Sequence, residues 1–226
     1  MVQKYGIRER DSRWLVLAVL LGILLIAPYR CAQAQGDYPG FSLRASWTEY
    51  TELSRQLTDV VVTQQLAQLV YQDPQFFWLS FGLGREEIDL EGDEPWPPGY
   101  EIDDALCFQA AGAYYLAPDL ALGIPADFSV GAEYTRSRHD VEGGKLTHQR
   151  ILGTANLEWD FHPAVPYLRV GVLNSILNFP AGDDEDQTTA LFVGGVRFSL
   201  AQQLSAGVEF NISEDIGFGG SLGYSF

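Results

Sequence analysis

The last twelve residues of the chain, DIGFGGSLGYSF (215–226), alternate between two kinds of side chain. The apolar set is Ile216, Phe218, Leu222, Tyr224 and Phe226, joined by Gly220, and the other set contains only Asp, Gly and Ser. Because successive side chains of a β-strand point to opposite faces, this stretch predicts a strand with one apolar and one polar face. Such a strand is typical of a transmembrane barrel, in which one face meets lipid and the other a polar lumen.

The same alternation recurs upstream. In 203–212, for example, Leu204, Val208 and Phe210 alternate with Ser205 and Glu209. A tilted strand needs roughly 9–11 residues to cross the hydrocarbon, and each alternating run is at least about that long. Eight such runs occur, at 76–89, 103–116, 126–139, 145–161, 166–178, 188–200, 203–212 and 215–226.

An even number of strands lets a barrel close with both chain ends on one side, and closure removes the unpaired edges that lipid could not satisfy. The sequence therefore predicts an all-β fold, an eight-stranded antiparallel transmembrane β-barrel over 76–226. With both ends in the periplasm, 117–125, 162–165 and 201–202 become periplasmic turns. The outward loops are then 90–102, 140–144, 179–187 and 213–214.

The first 34 residues have the layout of a secretion signal. Basic residues precede an apolar run from Trp14 to Ala27, and the small-residue pattern Ala32-Gln33-Ala34 follows. The run is shorter than the roughly 20 apolar residues of a spanning helix, which disfavours an uncleaved anchor. The sequence predicts a signal peptide over 1–34, cleaved after Ala34.

Residues 35–75 do not show the alternation of the barrel. Ser46 and Glu49 form a capping-box pattern, and apolar residues recur at helical spacing before Pro74. The sequence therefore predicts an N-terminal extension with a short amphipathic helix, at the membrane surface or against the barrel mouth. A loosely folded extension is an alternative, and the run Val60-Val61-Val62 also permits a strand.

The part of the chain after the signal is strongly acidic. Residues 35–226 contain 28 acidic and 9 basic side chains, a net charge near −19, which disfavours nucleic acid as a partner. Cys107 is its only cysteine, so no intrachain disulfide is possible. The acidic runs, including Glu86-Glu87 and Asp103-Asp104, lack the spacing of an EF-hand, so we interpret them as solvated faces and predict neither a metal site nor a cofactor.

The alternation also places charged side chains on the polar face of the predicted barrel. An eight-stranded barrel is just wide enough for its own side chains to fill, and buried charges avoid isolation by pairing. We therefore expect a lumen plugged by salt bridges, with a gated, narrow ion path as the alternative. The residues of this predicted charge network are Glu133, Arg150, Glu158, Asp160, Arg169, Arg197 and Glu209.

Ser137, His139 and His148 are the candidate catalytic residues. A hairpin centred near 142–143 would bring them together on the inward face at the outer rim. Nucleophilic catalysis needs a hydroxyl beside a base and a group that orients the base, a role open to Asp140 or Glu133. Rim histidines are more often solvated bystanders, so the pattern predicts no enzyme.

The ending Leu222-x-Tyr224-x-Phe226 resembles the C-terminal signal by which the barrel assembly machinery recognises outer-membrane β-barrels. Together with the signal peptide, it makes 76–226 resemble the small eight-stranded barrels of the OmpA/OmpX type. The resemblance implies a monomer in the bacterial outer membrane, surrounded by lipid and lipopolysaccharide. Lipid A deacylases and palmitoyltransferases are similar barrels, but the order Ser137-Arg138-His139 reverses the deacylase pattern.

These observations favour a non-enzymatic outer-membrane protein with a structural or surface-interaction role. A narrow porin-like channel is the first alternative, and a lipid A-modifying acyl hydrolase or transferase is the second. A soluble periplasmic barrel of the lipocalin type is disfavoured, because it would bury its apolar face rather than present it.

Overall fold

The computed structural model describes residues 39–53, 59–73, 75–91, 102–117, 126–141, 143–180, 185–213 and 216–226. These ranges contain ten β-strands and no helix long and apolar enough to cross a membrane. The predicted signal peptide lies outside the described residues. The strands are β1 (Gly40–Leu53), β2 (Asp59–Asp73), β3 (Phe77–Glu91), β4 (Ala105–Ala117), β5 (Ala126–Val141), β6 (Gly144–Trp159), β7 (Ala164–Asn178), β8 (Glu185–Ser199), β9 (Leu204–Ile212) and β10 (Ile216–Ser225).

The strands form one closed antiparallel barrel. Each strand pairs with its neighbours in the sequence, and β1 closes the ring by pairing with both β2 and β10. At this seam Ser42 lies opposite Ser225, and Thr48 lies opposite Gly219. The prediction of an all-β, closed antiparallel barrel is therefore confirmed.

The predicted strand number is wrong, because the barrel has ten strands in the described residues rather than eight. The two additional strands, β1 and β2, occupy the segment for which an N-terminal helix was predicted. The helix prediction is also wrong, and the strand that Val60-Val61-Val62 permitted is the one observed. The barrel accordingly begins at Gly40 and not at residue 76.

The other eight strands lie close to the predicted runs. The runs 126–139 and 203–212, for example, correspond to Ala126–Val141 and Leu204–Ile212. The run 145–161 extends past the end of β6 at Trp159, which leaves Asp160 in the following turn. Between β5 and β6 the chain turns at Gly143, whose positive φ of 89° is readily adopted only by glycine.

The barrel has an apolar exterior and a mostly polar interior. Exposed apolar side chains point outward on strands around the ring, for example Leu83 at 69 %, Leu106 at 87 % and Val208 at 61 % exposure. Buried side chains of the opposite set include Ser80, Gln109 and Asn156. We call the barrel end that contains Gly40, Asp73 and Ser199 the terminal end, and the opposite end, with Val141 and Ile212, the loop end.

Candidate functional site

Apolar side chains fill the lumen at the loop end. They come from β1, β2, β3, β6 and β7 and the residue after β7. Val62 and Leu146 are 0 % and 1 % exposed, so their side chains are packed away from solvent. We call this layer the hydrophobic cap, and it consists of Tyr50, Val60, Val62, Ile88, Leu146, Leu177 and Phe179.

A buried polar cluster lies next to the cap and consists of Glu86, Ser137, His139 and His148. Glu86 of β3 is its centre. The Glu86 Oε1 atom lies 2.8 Å from His148 Nδ1 and 3.2 Å from His139 Nε2, and it accepts a hydrogen bond from the Ser137 hydroxyl. Gln64 of β2 donates to the other carboxylate oxygen. A carboxylate that is 0 % exposed is thus surrounded by donors, which offset the cost of its burial.

Both histidine rings are also fixed at their other nitrogen. His139 Nδ1 donates to the carbonyl oxygen of Asp103 at 2.9 Å, because a carbonyl can only accept. His148 Nε2 lies 3.0 Å from the Ser175 hydroxyl. The ring of His139 therefore places Nε2 2.9 Å from the Ser137 oxygen, the spacing of a nucleophile and its base, although the hydroxyl proton of Ser137 is donated to Glu86. Ser137 is only 2 % exposed, however, and a substrate would have to displace the cap to reach it.

The sequence reasoning placed Ser137, His139 and His148 together but missed Glu86. Glu86 was interpreted as part of a solvated acidic run with Glu87. The alternation of β3 carries the missing signal, since it puts Glu86 on the same face as Ser80 and Ile88, both of which are buried. Within the described residues, no group of three or more His, Cys, Asp and Glu side chains has the arrangement of a metal site.

A cavity of about 160 Å³ lies in the lumen beside the polar cluster. It is lined by six of the seven residues in the predicted charge network: Glu133, Arg150, Glu158, Arg169, Arg197 and Glu209. The prediction that Asp160 belongs to this network is wrong. Asp160 is exposed in the turn after β6, where it accepts a hydrogen bond from the backbone of His162. The strand ends two residues before the predicted alternating run does.

The charged side chains of the lumen contact both charged and neutral partners. Arg197 forms an ion pair with Glu158, as expected. Glu209 accepts a hydrogen bond from the Tyr167 hydroxyl at 2.5 Å, and Glu133 accepts one from Thr135 at 3.3 Å. Arg169 donates to Asn156 at 3.0 Å, and the Arg150 guanidinium stacks 3.7 Å from the ring centre of Tyr50.

Arg44 of β1 is a further cation in the cavity wall. The sequence reasoning missed it because it lay in the segment predicted as a helix. In a strand, the alternation places Arg44, Ser46 and Thr48 on one face, and all three line the cavity.

The predicted assembly signal lies at the rim of the barrel at the terminal end. Leu222 and Tyr224 are half-buried, and Phe226 is 64 % exposed. The Tyr224 hydroxyl donates to Gln203 at 2.8 Å, and the backbone nitrogen of Phe226 donates to the carbonyl of Phe41 at 3.1 Å. The last residue is therefore attached to β1, at the seam of the barrel.

Comparisons with solved structures return bacterial outer-membrane proteins. Neisserial surface protein A is 14 % identical over 83 % of this chain and 96 % of its own, with a TM-score of 0.34. The β-domain of the Bordetella autotransporter BrkA is 13 % identical over 84 % of this chain and 100 % of its own, with a TM-score of 0.44. OmpT, an outer membrane protein of Vibrio cholerae, is 15 % identical over 80 % of this chain, with a TM-score of 0.33, and this chain spans 64 % of its length.

No protein-family model matches the sequence, and no curated protein matches it either. With TM-scores below 0.5, the fold assignment rests on the strand pairing of this chain.

Proposed function

We propose that this chain is an integral protein of the bacterial outer membrane. The apolar exterior supports this location, since side chains such as Leu83, Leu106, Val172 and Phe218 are more than half exposed on the outside of a closed barrel. A soluble monomer rarely presents large contiguous apolar surfaces to water. Lipid solvates such a surface, and a closed barrel leaves no strand edge unsatisfied in it.

Lipopolysaccharide is the proposed lipid partner at the loop end. Arg136 and Arg138 are exposed on the outward set of β5, next to Tyr134 and Ala132 of the same set. Guanidinium groups bind phosphate through paired charge-assisted hydrogen bonds. The two arginines would therefore meet lipid phosphates just beyond the apolar band of the barrel.

The proposed role is structural or surface-interacting, with a lumen closed at the loop end. The observation that carries this proposal is the burial of Val62, Leu146 and Glu86 at 0–1 % exposure across the lumen. An ion crossing here would have to enter a layer that excludes water and to disrupt the hydrogen bonds of Glu86. The closure thus depends on the hydrophobic cap and the polar cluster more than on the salt bridges of the cavity.

Conductance in planar bilayers tests this proposal. The refolded wild-type protein should give no stable channels. The double variant Val62→Ala, Leu146→Ala removes apolar volume from the cap and should conduct. The matched control Leu83→Ala, Val208→Ala makes the same deletions on the lipid-facing side and should remain closed. Stable wild-type channels would instead favour the narrow porin-like channel.

The enzyme alternative is tested in the same preparation. Because Ser137 points into the lumen beneath the cap, we expect no acyl release from lipid A and no acyl transfer. Activity that disappears in Ser137→Ala, while the folded barrel persists, would contradict the non-enzymatic proposal.

A further inference from the structure

The lumen cavity has a net positive charge in a chain that is strongly acidic overall. The formal charges in its wall are four arginines and three glutamates: Arg44, Arg150, Arg169, Arg197, Glu133, Glu158 and Glu209. The excess positive charge lies in the wall of a confined cavity. Dissolved salt therefore screens it less than it screens a surface charge.

Arg44 is the cavity cation whose guanidinium forms no hydrogen bond and no ion pair with the side chains that the structure describes. The charged side chains that act on it are Arg197, Glu158 and Glu209. Both carboxylates already have a donor, since Glu158 pairs with Arg197 and Glu209 accepts from Tyr167. A confined guanidinium that neither carboxylate contacts is costly, and a bound anion would offset this cost.

The cavity has room for such an anion. At about 160 Å³ it would hold roughly five water molecules at liquid density. The space exists because the strands beside Arg44 carry small side chains there, in particular Ser221 and Gly207, which both line the cavity. Polar groups that can donate, such as Gln109 and Arg169, lie in the same wall.

We propose that the cavity binds a small soluble anion, a carboxylate or a phosphate, with Arg44 as its main ligand. A guanidinium group presents two parallel N–H donors that match both of these anions. The site belongs to the interior of the barrel, so it does not depend on whether the exterior faces lipid.

Calorimetric titration of the refolded barrel in detergent tests the proposal, with inorganic phosphate and succinate as probes in a chloride-free buffer. We expect one saturable site. Arg44→Gln should raise the Kd at least tenfold, which corresponds to about 1.4 kcal/mol. Arg85→Gln, which removes a cation paired with Asp104 on the exterior, should leave the Kd unchanged. Heat-modifiable gel mobility verifies that each variant is folded.

A second variant locates the site without changing a charge. Ser221→Leu fills the cavity and should also abolish binding. The proposal is overturned if wild-type protein shows no saturable binding, or if Arg44→Gln and Ser221→Leu bind as the wild type does. Loss of binding in Arg138→Gln, with retention in Arg44→Gln, would also overturn it, because the anion would then bind the outer face where lipid headgroups bind.

Discussion

Glu86 is the shared acceptor of a network of buried hydrogen bonds. Its donors come from β2, β4, β5 and β6, with the Cys107 thiol of β4 at 3.9 Å, so a single side chain of β3 connects five strands. Such a network is stabilising only while it is complete, because each member is buried and lacks water as a substitute partner. The same network fixes His139 and His148 beneath the cap.

Replacing Glu86 with alanine should destabilise the barrel strongly. Each buried donor that loses its acceptor costs about 1–3 kcal/mol, and Gln64, Ser137 and the two histidines lose theirs together. The midpoint of urea unfolding in detergent should fall markedly. Glu87→Ala, a neighbour on the outward set, is the control and should change the midpoint little. Equal midpoints for the two variants would contradict the stabilising role of the cluster.

Residue positions were predictable wherever the alternation was clean. It placed Ser137, His139 and His148 on one face, and the register then brings His148 directly opposite Ser137. It did not identify Glu86 or Arg44 as lumen residues. Glu86 was obscured by its acidic neighbour Glu87. Arg44 was obscured by the helix prediction for its segment.

At the scale of elements, β2 explains why the strand number was wrong. A barrel strand is recognised by apolar residues on the lipid face and polar residues on the lumen face. The lumen face of β2 carries Val60, Val62, Leu66 and Val70 besides Gln64 and Gln68, and the first two valines belong to the cap. Val62, Leu66 and Val70 recur every four residues and therefore imitate one face of a helix. The apolar packing of the cap thus weakened the pattern that reveals a barrel strand.

The hairpins should sort to two sides of the membrane. Lys145 lies near the β5–β6 turn at the loop end, and Gln202 lies between β8 and β9 at the terminal end. In intact cells a membrane-impermeant maleimide should label Lys145→Cys. It should label Gln202→Cys only after the outer membrane is permeabilised. Wild-type protein is the control, because Cys107 is 1 % exposed and should not react. The reverse labelling pattern would invert the proposed orientation.

At the scale of the whole molecule, the barrel has an apolar exterior and a mostly polar interior, the reverse of a soluble protein. In the proposed membrane location the apolar exterior contacts lipid, and the interior carries the charged side chains. A charge substitution therefore has different consequences on the two sides. A charge on the exterior near the membrane interface costs only about 0–1 kcal/mol. A large assembly defect caused by such a substitution would therefore indicate lost recognition by the assembly machinery rather than lost stability of the barrel.

Phe226 tests whether the chain reaches the membrane through its last strand. By resemblance, its ring is the feature that the assembly machinery recognises. Phe226→Asp should leave cleavage of the predicted signal peptide intact, while the mature chain accumulates in the periplasm or is degraded. Phe41→Asp is the matched control, because Phe41 is an exposed aromatic residue at the same end, on the adjacent strand. It should assemble nearly normally, as measured by outer-membrane fractionation and heat-modifiable mobility. Equal defects in the two variants would attribute the effect to interface stability, and normal assembly of Phe226→Asp would disprove the signal.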